Sequence, residues 1–123
     1  MMLLDSNIII YSAMPENEFL REFIRKNSPF VSDISRVEVL GFQKLSAEDI
    51  EYFELFFGST TTIPVSEVVI VEAIRLRQRR KMSLGDSLVA ASAIVNNFGL
   101  VTNNAKDFKW IDSLVLINPL ADQ

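Results

Sequence analysis

The chain has 123 residues, 49% of them hydrophobic, and a formal net charge of −4. That size suits one domain with a core that needs no metal or disulfide staple, and the acidic balance argues against a protein that coats nucleic acid by charge alone. With no cysteine there is no disulfide, thiolate nucleophile or zinc–thiolate centre, and with no histidine there is no Ser–His–Asp triad, histidine-ligated zinc or paired-histidine ribonuclease chemistry. An enzyme built from this chain works with carboxylates, Lys, Tyr and Ser/Thr. Oxygen ligands of that kind select hard cations such as Mg²⁺ or Mn²⁺.

In chain order, residues 2–4 read as a strand that ends at Asp5, and residues 7–13 as a short helix. Residues 16–26 carry Phe19, Leu20, Phe23 and Ile24 at helical spacing. A strand at 30–31 precedes a helix over 36–45, which Ser35 would cap. A helix over 48–57 follows Ser46, a strand covers 61–65, and a helix over 67–81 follows Ser66. The helix over 84–98 follows Ser83 and has Gly99 as its stop. It reads as apolar on both faces, hence buried on both, which makes Asp86 near its start conspicuous. Strands at 100–102 and 114–117 close the chain, with a short helical segment at 106–111 between them. Strands alternating with helices predict a single α/β domain, 1–123, with a mainly parallel sheet of four to five strands. The N-terminal Met-Met-Leu-Leu-Asp has no signal-peptide pattern, and no run nears the ~20 apolar residues of a membrane span. A soluble cytoplasmic protein is expected.

Four acids fall at strand-to-helix junctions: Asp5, Glu38, Asp86 and Asp107. Singly, each has a local explanation. Ser35-x-x-Glu38 and Ser83-x-x-Asp86 are capping-box spacings, Asp107 lies three residues after Asn104, and Asp5 can be an N-cap. Together they point to chemistry, because a parallel sheet sends such junctions to one edge. Carboxylates meeting there raise each other's pKa unless a divalent cation neutralises them. An oxygen-lined site of this kind suits hydrolysis of phosphodiesters.

These motifs resemble the PIN-domain nucleases, in particular the short VapC-type toxins. Apolar-Leu4-Asp5-Ser6-Asn7-Ile8 is similar to the family's first acidic motif, and Ser35-Arg-Val-Glu38-Val-Leu-Gly41 to its second. Leu84-Gly-Asp86 with its small-residue helix is similar to the third, and Leu100-Val-Thr102-Asn-Asn104-Ala-Lys-Asp107-Phe108 to the closing block. The resemblance implies a three-layer α/β/α domain and a Mg²⁺- or Mn²⁺-dependent endoribonuclease, the toxin of a type II toxin–antitoxin pair. It implies Asp5, Glu38 and Asp86 as metal ligands and catalytic residues. For the fourth catalytic place, where some members put an acid and this chain has Asn103 and Asn104 directly after the strand, two options stay open: Asp107, or three acids completed by amides. Ser6, Asn7, Thr102 and Asn104 would orient the acids or bind substrate. RNA as substrate, a homodimer and a cognate antitoxin-like protein are the implied partners, with no membrane.

Arg75, Arg77, Arg79, Arg80 and Lys81 gather five of the 12 basic residues just before Asp86. They read as a solvated helix face or as a rim that meets RNA phosphates, with Arg79 and Arg80 as the candidates. Phe19, Phe23, Phe53, Phe56 and Phe57, at helical spacing, read as core or interface rather than base-stacking platforms, and Trp110 as core. Two other functions fit parts of the pattern. One is a degenerate PIN-like module that binds RNA or protein without cutting. The other is an aspartate-phosphorylated phosphatase- or receiver-like protein, which the Asn at position 7 and the order of the acids fit poorly.

Overall fold

The computed structural model describes residues 1–121; the last two residues of the domain expected at 1–123 lie outside the described residues. Among the described residues five short strands form: β1 (Met2–Leu4), β2 (Val31–Ser32), β3 (Thr62–Ile63), β4 (Gly99–Val101) and β5 (Leu116–Ile117). β1 pairs with β4, β4 with β5, and β2 with β3, all in parallel. A parallel bridge between Leu3 and Phe30 joins the two ladders, with Leu4 N–H donating to the Phe30 carbonyl at 2.9 Å and Phe30 N–H to that of Met2 at 2.8 Å. The sheet order is therefore β3-β2-β1-β4-β5. The chain winds one way from β1 and then the other, so the switch point falls between β1 and β4, where α/β folds place their working crevice.

Among the described residues six α-helices accompany the strands: α1 (Ser6–Ser12), α2 (Glu18–Asn27), α3 (Asp33–Leu40), α4 (Ala47–Gly58), α5 (Glu67–Arg79) and α6 (Leu84–Asn96). Successive strand residues face opposite sides of a sheet, and the central strands use both. Leu3 and Leu100 pack with Val69, Ala73 and Leu76 of α5 and the small residues of α6. Leu4, Val31 and Val101 pack with Ile8 and Ile9 of α1, Leu20 of α2, Val39 of α3 and Phe53 and Phe57 of α4. The result is three layers, α/β/α. Each fully buried Leu, Ile or Phe contributes roughly 1.5–3 kcal/mol of hydrophobic stabilisation. No helix of the described residues is long and apolar enough to cross a membrane.

Several boundaries differ from the sequence reading. The third helix begins at Asp33 rather than at 36, because Ser32 both ends β2 and accepts the Ile34 N–H at 3.2 Å. Ser35 is thus inside the helix, fully buried, and caps nothing. The helix expected from 16 opens as a 3-10 turn, Pro15–Asn17, before α2 starts. α6 stops at Asn97, which takes the left-handed conformation (φ 58°) that Gly99 was expected to supply. Asn tolerates that region through its short polar side chain. Gly99 instead opens β4, where a Cβ would stand 2.9 Å from the Ile117 side chain. α6 is buried through Ser87 and Val89–Ala93, but Leu84 is exposed, so the helix is not buried along its full length. The segment at 106–111 holds only a 3-10 turn, Ala105–Asp107.

Candidate active site

The four acids reach the carboxyl edge of the sheet by different routes. Asp5 follows β1 directly and holds the N-cap position of α1, yet its side chain caps nothing. It is 4% exposed and accepts a 2.9 Å hydrogen bond from the Thr102 hydroxyl. Thr102 follows β4, so this bond spans the switch point. Thr102 Oγ1 also accepts the Asn104 N–H at 3.0 Å, and the Asn104 side-chain amide donates to the Asp107 carboxylate. A hydrogen-bonded chain thus runs from Asp107 through Asn104 and Thr102 to Asp5.

Glu38 arrives from α3. Its Oε1 accepts from the Ser6 hydroxyl at 2.7 Å, and Ser6 Oγ lies 2.8 Å from Ser35 Oγ. Ser6 has one hydroxyl proton and gives it to Glu38, so Ser35 donates to Ser6. The Ser35 spacing that suggested a capping box therefore belongs to a different device: two serines from two helices that orient one carboxylate. Asp86 comes from α6 at the third helical position, where its N–H donates to Ser83 Oγ at 3.1 Å. Asn7 is exposed on α1 and Ser6 is buried.

The electrostatics tie these residues together. Burial pushes the Asp5 carboxyl up to about 6, Thr102 pulls it down, and the charges of Asp86 and Glu38 push it further up. The Asp86 carboxyl is also raised, first by burial and then by the charges of Asp107 and Glu38, against the lowering effect of Ser83. Asp86 thus feels the other three acids or is felt by them. They do not close on a single point: among the described residues no three acidic side chains form a finished cation cage. The donor set still fits a hard divalent cation, since it is all oxygen and the carboxyls of Asp5 and Asp86 are both raised by burial and by neighbouring negative charge.

Two further residues, Gly85 and Trp110, belong to this edge. Gly85 lies directly against the Glu38 carboxylate. Trp110 is half-buried and packs against the core beneath α5 and α6, and its Nε1–H donates to the Asp107 carbonyl at 3.1 Å. The guanidinium carbons of Arg79 and Arg80 lie 5.2 and 5.7 Å from its ring centroid, within cation–π range. The rest of the basic run diverges: Arg75 pairs with Glu72 at 3.7 Å, and Arg77 donates to the Met82 carbonyl at 3.3 Å. Phe53 and Phe57 are buried, and Phe19, Phe23 and Phe56 pack against the same core, as the helical spacing predicts.

A five-stranded parallel sheet with junction acids at its switch point defines an α/β domain with an acidic crevice. The particular family follows from comparison: the PIN domain model matches residues 2–114, and the chain belongs to the PIN domain family. PIN domains are in general nucleases that use divalent metal ions. Solved structures agree. A toxin–antitoxin complex from Klebsiella pneumoniae holds a chain 26% identical to this one, with a TM-score of 0.74, covering 94% of this chain and 96% of that one. A chain of VapBC2 from Rickettsia felis, bound to a promoter DNA fragment, is 24% identical with a TM-score of 0.83, covering 95% and 97%. A chain of VapBC-1 from nontypeable Haemophilus influenzae is 24% identical with a TM-score of 0.78, covering 95% and 96%. Among curated proteins, none matches the chain in sequence. Family membership sets aside the phosphatase- or receiver-like reading.

Proposed function

We propose that the chain is a Mg²⁺- or Mn²⁺-dependent endoribonuclease, the toxin of a type II toxin–antitoxin pair. The observation that carries this is the coupling of Asp5, Glu38 and Asp86 at the β1–β4 switch point, each held by its own hydroxyl partner: Thr102, Ser6 and Ser83. When bound, the cation supplies an activated water and neutralises charge on the phosphodiester. The residues do the positioning. Asp5, Glu38 and Asp86 provide the ligand oxygens. Thr102 and Ser6 keep two of them from rotating, and such supporting bonds tune a metal site nearly as strongly as the ligands do. Asp107, held by Asn104, adds negative charge beside Asp86 and acts from one layer out. Water attacks phosphorus, the bond to the 3′ oxygen breaks, and the family resemblance implies 5′-phosphate and 3′-hydroxyl ends. A panel of structured RNAs incubated with Mg²⁺, Mn²⁺ or EDTA tests this: cleavage in the metal arms alone is expected. Intact RNA in every arm, or equal cleavage in EDTA, contradicts it.

Arg79 and Arg80 are the proposed phosphate-contacting rim. Both guanidiniums lie over the Trp110 ring, and Trp110 is joined to Asp107, so the rim and the acids are neighbours. Because the chain has one tryptophan, its fluorescence reports this place directly. Titrating an RNA oligonucleotide into Asp86→Asn protein in EDTA should change the emission. Arg79→Ala or Arg80→Ala should weaken binding about tenfold, the scale of one charge-assisted contact. Unchanged affinity in both variants would remove the rim from the site.

A cognate antitoxin-like partner is supported by the solved complexes and by an apolar groove of about 410 Å³ whose lining includes Ile10, Met14, Leu45 and Phe42, the last 56% exposed. Exposed Val68, Val71 and Ile74 along α5 support a homodimer. A small partner should copurify from the native host and light scattering should give a dimer. A monomer at high concentration would contradict the dimer, and a pull-down from the native host that recovers no partner would contradict the antitoxin.

A further inference from the structure

Gly85 holds the second position of α6. No glycine among the described residues has positive φ, so backbone conformation does not call for one here. Glycine inside a helix is less favourable than alanine. What it supplies is space. A Cβ at this position would stand 2.0 Å from Glu38 Oε2, 2.7 Å from its Cδ and 3.0 Å from its Oε1. The three nearest atoms all belong to one carboxyl group. That same group accepts the Ser6 hydroxyl through Oε1 at 2.7 Å. Glu38 is therefore fixed between a hydroxyl on α1 and the bare backbone of α6.

We infer that Gly85 is a positioning residue for Glu38, its missing side chain being the seat of the carboxylate. This deepens the cation-site reading and rests on it. Any side chain at position 85 takes that seat. Glu38 is exposed at the end of a flexible stem, so it can swing aside at little expense to the fold. The site, however, loses a correctly placed oxygen, and ligand geometry is what a cation site is most sensitive to. Stability and cation affinity should thus part company at this one position.

The experiment is Gly85→Ala, with three readouts. In EDTA the melting temperature should equal or exceed that of wild type. Calorimetric Mn²⁺ affinity should fall roughly 10–100-fold, the range seen when groups that orient metal ligands are lost. A crystal structure of the metal-free variant should show the Glu38 carboxylate displaced from Ser6 while Asp86 keeps its place over Ser83. Wild-type affinity in the variant would overturn the inference. So would an unmoved Glu38, or a fall in melting temperature matching the loss of affinity. If wild type itself gives no Mn²⁺ heat, the cation-site reading fails, and the crystal structure still decides whether Gly85 seats Glu38.

Discussion

Asp5→Asn should make the metal-free protein more stable while abolishing its activity. The Asp5 carboxyl lies near 6 in the fold against an ordinary 3.8, chiefly because burial disfavours its charge. The folded state therefore binds this proton more tightly than the unfolded chain does. Its contribution to stability is fully present below pH 3.8, is lost as pH rises through about 6, and leaves the fold carrying an unfavourable charge above that. The shift corresponds to about 3 kcal/mol. Asparagine keeps an oxygen for the Thr102 hydroxyl and carries no charge. In EDTA at pH 8 the variant should gain about 2 kcal/mol, a rise in melting temperature of roughly 5–10 °C for a domain of this size. The gain should vanish near pH 4. A variant less stable than wild type at pH 8 would show that Asp5 is a structural anion, satisfied by its neighbours.

Glu38→Gln and Asp86→Asn should each lower metal-dependent cleavage by about 10³-fold or more, since removing a ligand charge removes the cation that supplies several kcal/mol to the transition state. The folds should survive. Glu38 is exposed, and Asp86 is itself raised by burial and by its acidic neighbours. Asp107→Asn belongs lower on the same scale. It retains a partner for Asn104 and should weaken Mn²⁺ binding only about 10–100-fold. A series in which all three amide variants cleave as wild type would remove the site.

The acids were legible because strand ends and helix starts are punctuated locally. An apolar run stops at Asp5, and a serine stands three residues before Asp86. Glu38 lies in the stretch that resembles the family's second acidic motif, but the helix start expected at Ser35 falls at Ser32. Ser32 and Ser35 both offer a cap, and only the end of β2 and the burial of Ser35 against Ser6 decide between them. Those are tertiary facts. Gly85 was not legible at all, because a helical glycine read along its own helix is a defect; the carboxylate that fills its space comes from α3. Trp110 reads as core and does pack against it, whereas the convergence of Arg79 and Arg80 on its ring depends on how the end of α5 meets the turn after Asp107. The layered parallel fold followed from alternating periods, which survive even where boundaries move by several residues.

The claim that these carboxylates form one cation site is tested most directly by calorimetric titration of Mn²⁺ into wild type and Asp86→Asn, both first stripped with EDTA and then dialysed free of it. Wild type should give a saturable heat and a higher melting temperature at saturation, and Asp86→Asn should give neither. No heat in wild type, or the same heat in both proteins, would contradict the account.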